Sequence, residues 1–242
     1  MLLWCVVVAG CILGASEGVS LPKYIKLCRA SDPEFDKCGL ESGKEAIRHL
    51  VHGEKSLRLQ PLSPLKLPFI QLENRADFQL NITDAEITGL DKAELVFFHS
   101  DLEKRDVKVV VHLSEIVLKG QFHNDGRILI LPIKGEGPGV VKAFGGNYSY
   151  GFHYDLIKKK NQEFSKITKD EFSFTIEKAE FNVEKVFGDA ALGKQTTQFL
   201  NENWLEVLKD FEQVIGATIG KICNAIASSV FERVPYNEII LP

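Results

Sequence analysis

Residues 211–226, "FEQVIGATIGKICNAI", carry only two charges, Glu212 and Lys221, and belong to a longer helical pattern. Leu200, Trp204, Val207, Leu208, Phe211, Val214, Ile215, Ile219, Ile222, Ile226 and Val230 fall on one stripe, so the spacing predicts a single helix over residues 196–233, stopped by Pro235. At 1.5 Å per residue that helix would be about 57 Å long, whereas a compact domain of this chain length is about 45 Å across. The helix must therefore run the full length of an elongated molecule. Gly216 and Gly220 sit inside it, where alanine would be about 1 kcal/mol better at each position. They imply either room left beside the helix or close approach of a neighbouring backbone.

Such a rod needs a sheath. From about residue 76 to 187 the apolar period shortens to two, in Phe78, Leu80 and Ile82, in Val107, Val109, Val111 and Leu113, in Phe172, Phe174 and Ile176, and in Phe181 and Val183. Alternation of this kind buries one face and wets the other, as antiparallel strands do. Turn residues at Thr88-Gly89, Asn124-Asp125-Gly126, Gly145-Gly146-Asn147 and Lys160-Asn161 predict the connections. Upstream, the proline-spaced "LQPLSPLKLPFIQL" (residues 59–72) cannot be helical and reads as an extended lead into the sheet. Leu40, Ile47, Leu50 and Val51 predict a short helix ending near Gly53. The expected class is α+β, a long C-terminal helix wrapped by a strongly curved antiparallel sheet.

Composition fits a globular protein, with 242 residues, 45% hydrophobic and 26% charged. A net charge of −4 leaves no electrostatic footprint for nucleic acid or an anionic membrane. Lys158, Lys159 and Lys160 beside Asn161 read as a solvated hairpin tip. The first twenty residues, "MLLWCVVVAGCILGASEGVS", hold an apolar block from Leu2 to Leu13 followed by Gly14, Ala15 and Ser16. The block is shorter than the roughly 20 residues of a membrane span and fits a secretory signal, residues 1–18, cleaved between Ser16 and Ser20. Residues 19–242 are then expected to be one exported domain with no later membrane anchor. Of five cysteines, Cys5 and Cys11 leave with the signal. Cys28 and Cys38 are expected to form a disulfide closing a loop of about ten residues, and Cys223 to be a buried free thiol. The sequons at Asn81 and Asn147 are candidate glycosylation sites.

Catalytic patterns are lacking in the sequence. The six histidines, His49, His52, His99, His112, His123 and His153, have no acidic helper at metal-motif spacing. No Gly-x-Ser-x-Gly elbow occurs, and Cys223 has no evident base to activate it. Gly135, Gly137 and Gly139 in "KGEGPGVV" precede a strand rather than a helix, so a phosphate loop is excluded in favour of a bent sheet edge. The expectation is a protein that is not an enzyme and needs no cofactor or metal.

Residues 187–239 carry Gly188-Asp189, Leu192-Gly193, "FLNENW" at 199–204 and the Phe231, Val234, Pro235 pattern. With the early cysteine pair around "SDP" and the proline-rich "PLSPLKLP", this closely resembles the insect takeout and haemolymph juvenile-hormone-binding protein family over essentially the whole mature chain. Ser63 stands where many relatives carry an acid. The resemblance implies a fold of the tubular lipid-binding, super-roll type and a hydrophobic small molecule in an internal tunnel. The implied guest is a juvenile-hormone-like terpenoid, a fatty acid derivative or a quinone, and relatives suggest a link to feeding or circadian rhythm. Candidate wall residues are Phe211, Ile215, Ile219 and Ile222 on the helix, with Phe97, Val109, Val111, Phe144, Phe172 and Phe174 on the sheet. Sixteen phenylalanines against one methionine point to rigid aromatic walls. Two alternatives stand beside the secreted carrier. One is a secreted signalling or interaction protein with a filled core, and the other an esterase acting on its bound lipid.

Overall fold

Two strands far longer than usual carry the architecture. The structure, a computed structural model, describes residues 19–242 apart from 76, 77, 184, 187 and 188, so the expected signal segment lies outside the described residues. In chain order the elements are β1 (Cys28–Arg29), α1 (Phe35–Leu50), β2 (Leu65–Arg75), β3 (Phe78–Thr88), a 3-10 turn (Leu90–Lys92), β4 (Glu94–Asp101), β5 (Asp106–Ile128), β6 (Leu131–Lys159), β7 (Gln162–Thr175), β8 (Lys178–Asn182), α2 (Ala190–Glu202), α3 (Trp204–Phe231), α4 (Tyr236–Ile239) and β9 (Ile240–Leu241). β5 and β6 have 23 and 29 residues, where five or six is typical. They pair antiparallel without a break in direction from Asp106 opposite His153 to Ile128 opposite Leu131.

The large sheet runs β2-β3-β5-β6-β7, with β4 beside the first part of β5 and β8 beside the middle of β6. Strands this long accumulate twist and cannot stay flat. The sheet accordingly curves about α3, helped by Gly145 in the left-handed region (φ 58) and by register shifts in the β4–β5 and β6–β7 pairings. Pro68 lies in β2 at the sheet edge, where a missing N–H costs no ladder bond.

The apolar stripe forms two helices instead of the single helix expected. It begins earlier, at Ala190, where Asp189 caps the helix by accepting from the Leu192 N–H at 2.9 Å. It breaks at Asn203, whose backbone leaves helical geometry at φ −115. There the side-chain amide donates to the Phe199 carbonyl at 2.8 Å and competes for the acceptor used by the Asn203 N–H. The remaining α3 keeps 28 residues, about 42 Å at 1.5 Å per residue. Its length and apolarity would suit a membrane span, yet it packs on β7, β2 and β8 of the sheet.

α1 starts five residues before the expected helix because it takes in Cys38, which is bonded to Cys28 with an S–S distance of 2.05 Å. It lies on β4, where Gly39 meets the ring of Phe98. Asp36 fixes its start, accepting from the Ser100 N–H at 3.0 Å and pairing with His99 at 2.7 Å. A small second sheet pairs β1 parallel to β9, Cys28 opposite Ile240. Two expected turns are not turns. Asn124-Asp125-Gly126 lies within β5 and Gly145-Gly146-Asn147 within β6, because the hairpin between them closes later, at Leu129 and Ile130. Lys160-Asn161 does close the β6–β7 hairpin, with φ values of 47 and 66.

Candidate ligand cavity

The interior divides along α3. From Val207 to Ile222 the sheet stands off and encloses a cavity of about 280 Å³. Around its last turns the same sheet closes down on a packed aromatic cluster.

Each surrounding element contributes its inward residues to the cavity. β2 supplies Ile70 and Leu72, β3 Phe78, Leu80 and Ile82, β5 Ile116, Leu118, Phe122 and Ile128, and β6 Ile133, Val141 and Tyr148. The helical wall is Thr196 and Leu200 of α2 with Val207, Phe211, Ile215, Ile219 and Ile222 of α3. Of α3, only Val207, Phe211 and Gly220 are buried. Ile215, Ile219 and Ile222 stay half-buried because they face the hollow, which explains why so apolar a helix leaves so much of its surface uncovered. Phe211 meets Phe78 edge to face, with ring centroids 4.8 Å apart, and closes the wall between helix and sheet.

Few polar groups reach this space. The Thr218 hydroxyl is already committed to the Val214 carbonyl at 2.8 Å. Tyr148 stacks on Phe174 at 6.2 Å, and burial pushes its phenol up to about 12, so it remains a neutral hydrogen-bond donor at any physiological pH. Among the described residues no three His, Cys, Asp or Glu converge as a metal site. Asn124 and Lys142 also border the cavity, which can therefore bury an apolar body and offer it a few polar contacts.

A profile of the haemolymph juvenile hormone binding protein family matches residues 2–241. The chain belongs to that family. It is 24% identical over 241 residues to the circadian clock-controlled protein daywake of Drosophila melanogaster, covering 94% of this chain and 90% of the relative. It is 26% identical over 119 residues to a putative beta-carotene-binding protein of Schistocerca gregaria, covering 48% of this chain and 47% of that one. The crystal structure of Epiphyas postvittana Takeout 1 superposes with a TM-score of 0.78 at 25% identity, covering 90% of this chain and all of the other.

Within this haemolymph-family fold the ten candidate wall residues separate. Phe174, Phe211, Ile215, Ile219 and Ile222 lie together on the cavity. Phe172 and Val109 pack instead against the aromatic cluster at the other end. Phe144 is half-buried and alternates with Ala143, whose position on the cavity turns the phenylalanine to the opposite face. Val111 is half-buried between Leu95 and Tyr148 on the neighbouring strands, outside the cavity lining. Phe97 is 45% exposed. A register shift between Leu95 and Phe97 moves β4 by one residue, so Leu95 and Phe98 turn inward while Val96 and Phe97 turn out. Sequence reasoning missed Ile70, Leu72, Ile116, Leu118, Ile128 and Ile133. The first two were hidden by the prolines and the last two by the turn residues at 124–126.

The glycines of α3 face the sheet. A Cβ on Gly216 would stand 3.9 Å from the ring of Phe172, and one on Gly220 would stand 3.2 Å from its Cβ. They serve close approach of β7 rather than space for a guest.

Of the two sequons, Asn147 is exposed and its Oδ1 lies 3.1 Å from His112, while Asn81 is half-buried in β3. The cavity walls are mostly isoleucine, leucine and valine, with Phe78, Phe122, Tyr148, Phe174, Phe181 and Phe211 among them, while three of the five buried residues of the packed end, Tyr150, Phe152 and Tyr154, are aromatic.

Proposed function

We propose that this chain carries a lipophilic small molecule in the cavity between α3 and the sheet. The observation that carries the reading is the hollow of about 280 Å³ with its apolar lining. A soluble guest gains roughly 25 cal/mol for each Å² of apolar surface it withdraws from water, so no charged partner is needed. The volume lies near the small end of the roughly 300–1,000 Å³ typical of ligand pockets. That favours a single acyl chain, a short terpenoid such as a juvenile-hormone-like ester, or the head of a quinone. A carotenoid, as named for the Schistocerca relative, would have to extend beyond the cavity. A signalling protein working only through its surface would need no hollow, whereas here buried core residues such as Phe78, Phe122 and Phe211 surround one.

The setting of this reading is extracellular. It is supported by the apolar leader-like segment, by the Cys28–Cys38 bond and by membership of a family named for haemolymph. The exposed Asn147 is the better placed of the two sequons.

Native mass spectrometry of the protein secreted from insect cells should reveal an apolar adduct, and delipidated protein should bind a fluorescent fatty acid that terpenoids displace. A preparation free of adduct that also fails to bind the probe rejects the carrier reading.

A further inference from the structure

The hairpin between β5 and β6 ends in an apolar point. Its turn residues are Leu129 and Ile130, and Ile130 leaves 84% of its surface to solvent, the largest value for a big apolar side chain among the described residues. Leu129 adopts φ 52, a left-handed backbone that asparagine or glycine occupies at lower cost. Hydrophobic residues thus stand where turn chemistry and solvation both favour polar ones.

The point is continuous with the cavity. Ile128 and Ile133, at its base, line the hollow, and Leu129 and Leu131 pack on the same buried cluster as Leu200. Leu192 of α2 stands one turn before Thr196 and two turns before Leu200, both on the cavity wall, so helical spacing places it on the same face. It is 48% exposed. Residues 126–135, "GRILILPIKG", contain Arg127 and Lys134 and no carboxylate, in a chain whose net charge is −4. Lys134 is held by Asp125 at 2.9 Å, while Arg127 is exposed.

We propose that this end of the molecule docks on a zwitterionic phospholipid surface, with Ile130 and Leu192 entering the acyl boundary and Arg127 meeting headgroup phosphates. A narrow convex tip offers a protein partner no broad face to match, whereas a fluid lipid interface closes around any apolar projection. The overall negative charge opposes long-range attraction to anionic lipid, so insertion rather than charge holds the protein there. Docking requires no guest. Its use in loading and release rests on the carrier reading, since an apolar guest leaving at this end would meet lipid without crossing water.

The test is flotation of the full secreted chain with phosphatidylcholine vesicles at low and high salt. Wild type should float in both, and Ile130→Glu should lower the partition coefficient about ten-fold or more, the worth of burying one large aliphatic side chain. Because Ile130 is so exposed, the variant should melt with wild type, and Leu192→Glu provides a second, independent lesion. The proposal is overturned if wild type stays with the soluble fraction, or if Ile130→Glu floats equally well. It is also overturned if wild type ignores vesicles but forms a dimer that the substitution dissociates. Fluorescent fatty acid binding in solution is read in parallel. It should be unchanged by Ile130→Glu, and its absence from wild type would remove the carrier reading while leaving the docking result intact.

Discussion

β5, β6 and β7 wrap both ends of α3, yet one end is hollow and the other full. At the hollow end the sheet presents mainly Ile, Leu and Val toward half-buried isoleucines of the helix. At the full end Phe152 meets Phe231 edge to face with centroids 5.1 Å apart, and Tyr154 is 1% exposed with its hydroxyl 3.1 Å from that of Tyr236. Strand alternation alone is the same in both places. What separates a tunnel from a core here is how the gap is filled: at the full end rings from β6 meet Phe231 and one another, whereas at the hollow end Phe78 and Phe211 bridge sheet and helix and the isoleucines beside them leave space.

The contrast predicts unequal costs for truncation. Tyr154→Ala should lose about 3–5 kcal/mol of unfolding free energy in denaturant titration, as large-to-small changes in packed cores do. Ile219→Ala should lose about 1 kcal/mol, because its side chain already faces empty space and removing it opens little new cavity. Equal losses at the two sites would erase the distinction between a full and a hollow end.

Filling the hollow tests the same contrast from the other side. The double change Ile215→Phe and Ile219→Phe should weaken fluorescent fatty acid binding by about ten-fold or more, equivalent to about 1.4 kcal/mol. Its cost in stability should stay below about 1 kcal/mol, since the rings enter vacant volume instead of overpacking a core. Unchanged probe affinity would place the guest elsewhere.

The helix glycines sharpen the boundary between the ends, since both lie against Phe172. Gly216→Ala meets only ordinary contact at 3.9 Å, so the gain in helix propensity should stabilise the protein by about 0.5–1 kcal/mol. At Gly220 the new Cβ would come within 3.2 Å of the Phe172 Cβ. Crowding there should cancel the gain and leave thermal stability near wild type. Probe affinity should not respond to either change, and a drop of several-fold in Gly216→Ala would mean that the guest reaches Phe172.

How far the sequence could be read follows from what each signal measures. The helical stripe and the two-residue alternation report which faces are apolar, and from Phe78 to Val183 and from Leu200 to Val230 that sufficed for the architecture. Turn chemistry reported less. Asn124-Asp125-Gly126 looks like a hairpin turn but is absorbed into a strand of 23 residues, while the turn itself, Leu129 and Ile130, carries no polar turn signal. The one-residue slip in β4 that exposes Phe97 depends on pairing with Val110 and Val111 and has no local signature. Nor can alternation state whether an inward residue meets an opposing side chain. Phe174 and Phe172 are two apart on one strand, and one faces the cavity while the other packs on the helix glycines. The break at Asn203 was written in the competition between its amide and its own backbone N–H, which a periodicity count cannot register.

Cys223 gives the gentlest probe of the full end. It packs on the aromatic cluster, and burial, reinforced by the negative charge of Asp170, pushes its thiol up to about 11. The raised value means that the neutral thiol persists far above pH 8.5, the usual midpoint for cysteine, and only the thiolate is an efficient nucleophile. At pH 8 its alkylation should therefore run at least about 100-fold slower than that of a free thiol, and the rate should keep rising with pH up to about 11 instead of levelling near 8.5. Saturating the cavity with a fatty acid should leave that rate unchanged, because the thiol belongs to the packed end and not to the hollow. Protection by the ligand would show instead that the guest reaches past Phe172, and that the rings around Phe231 part to admit it.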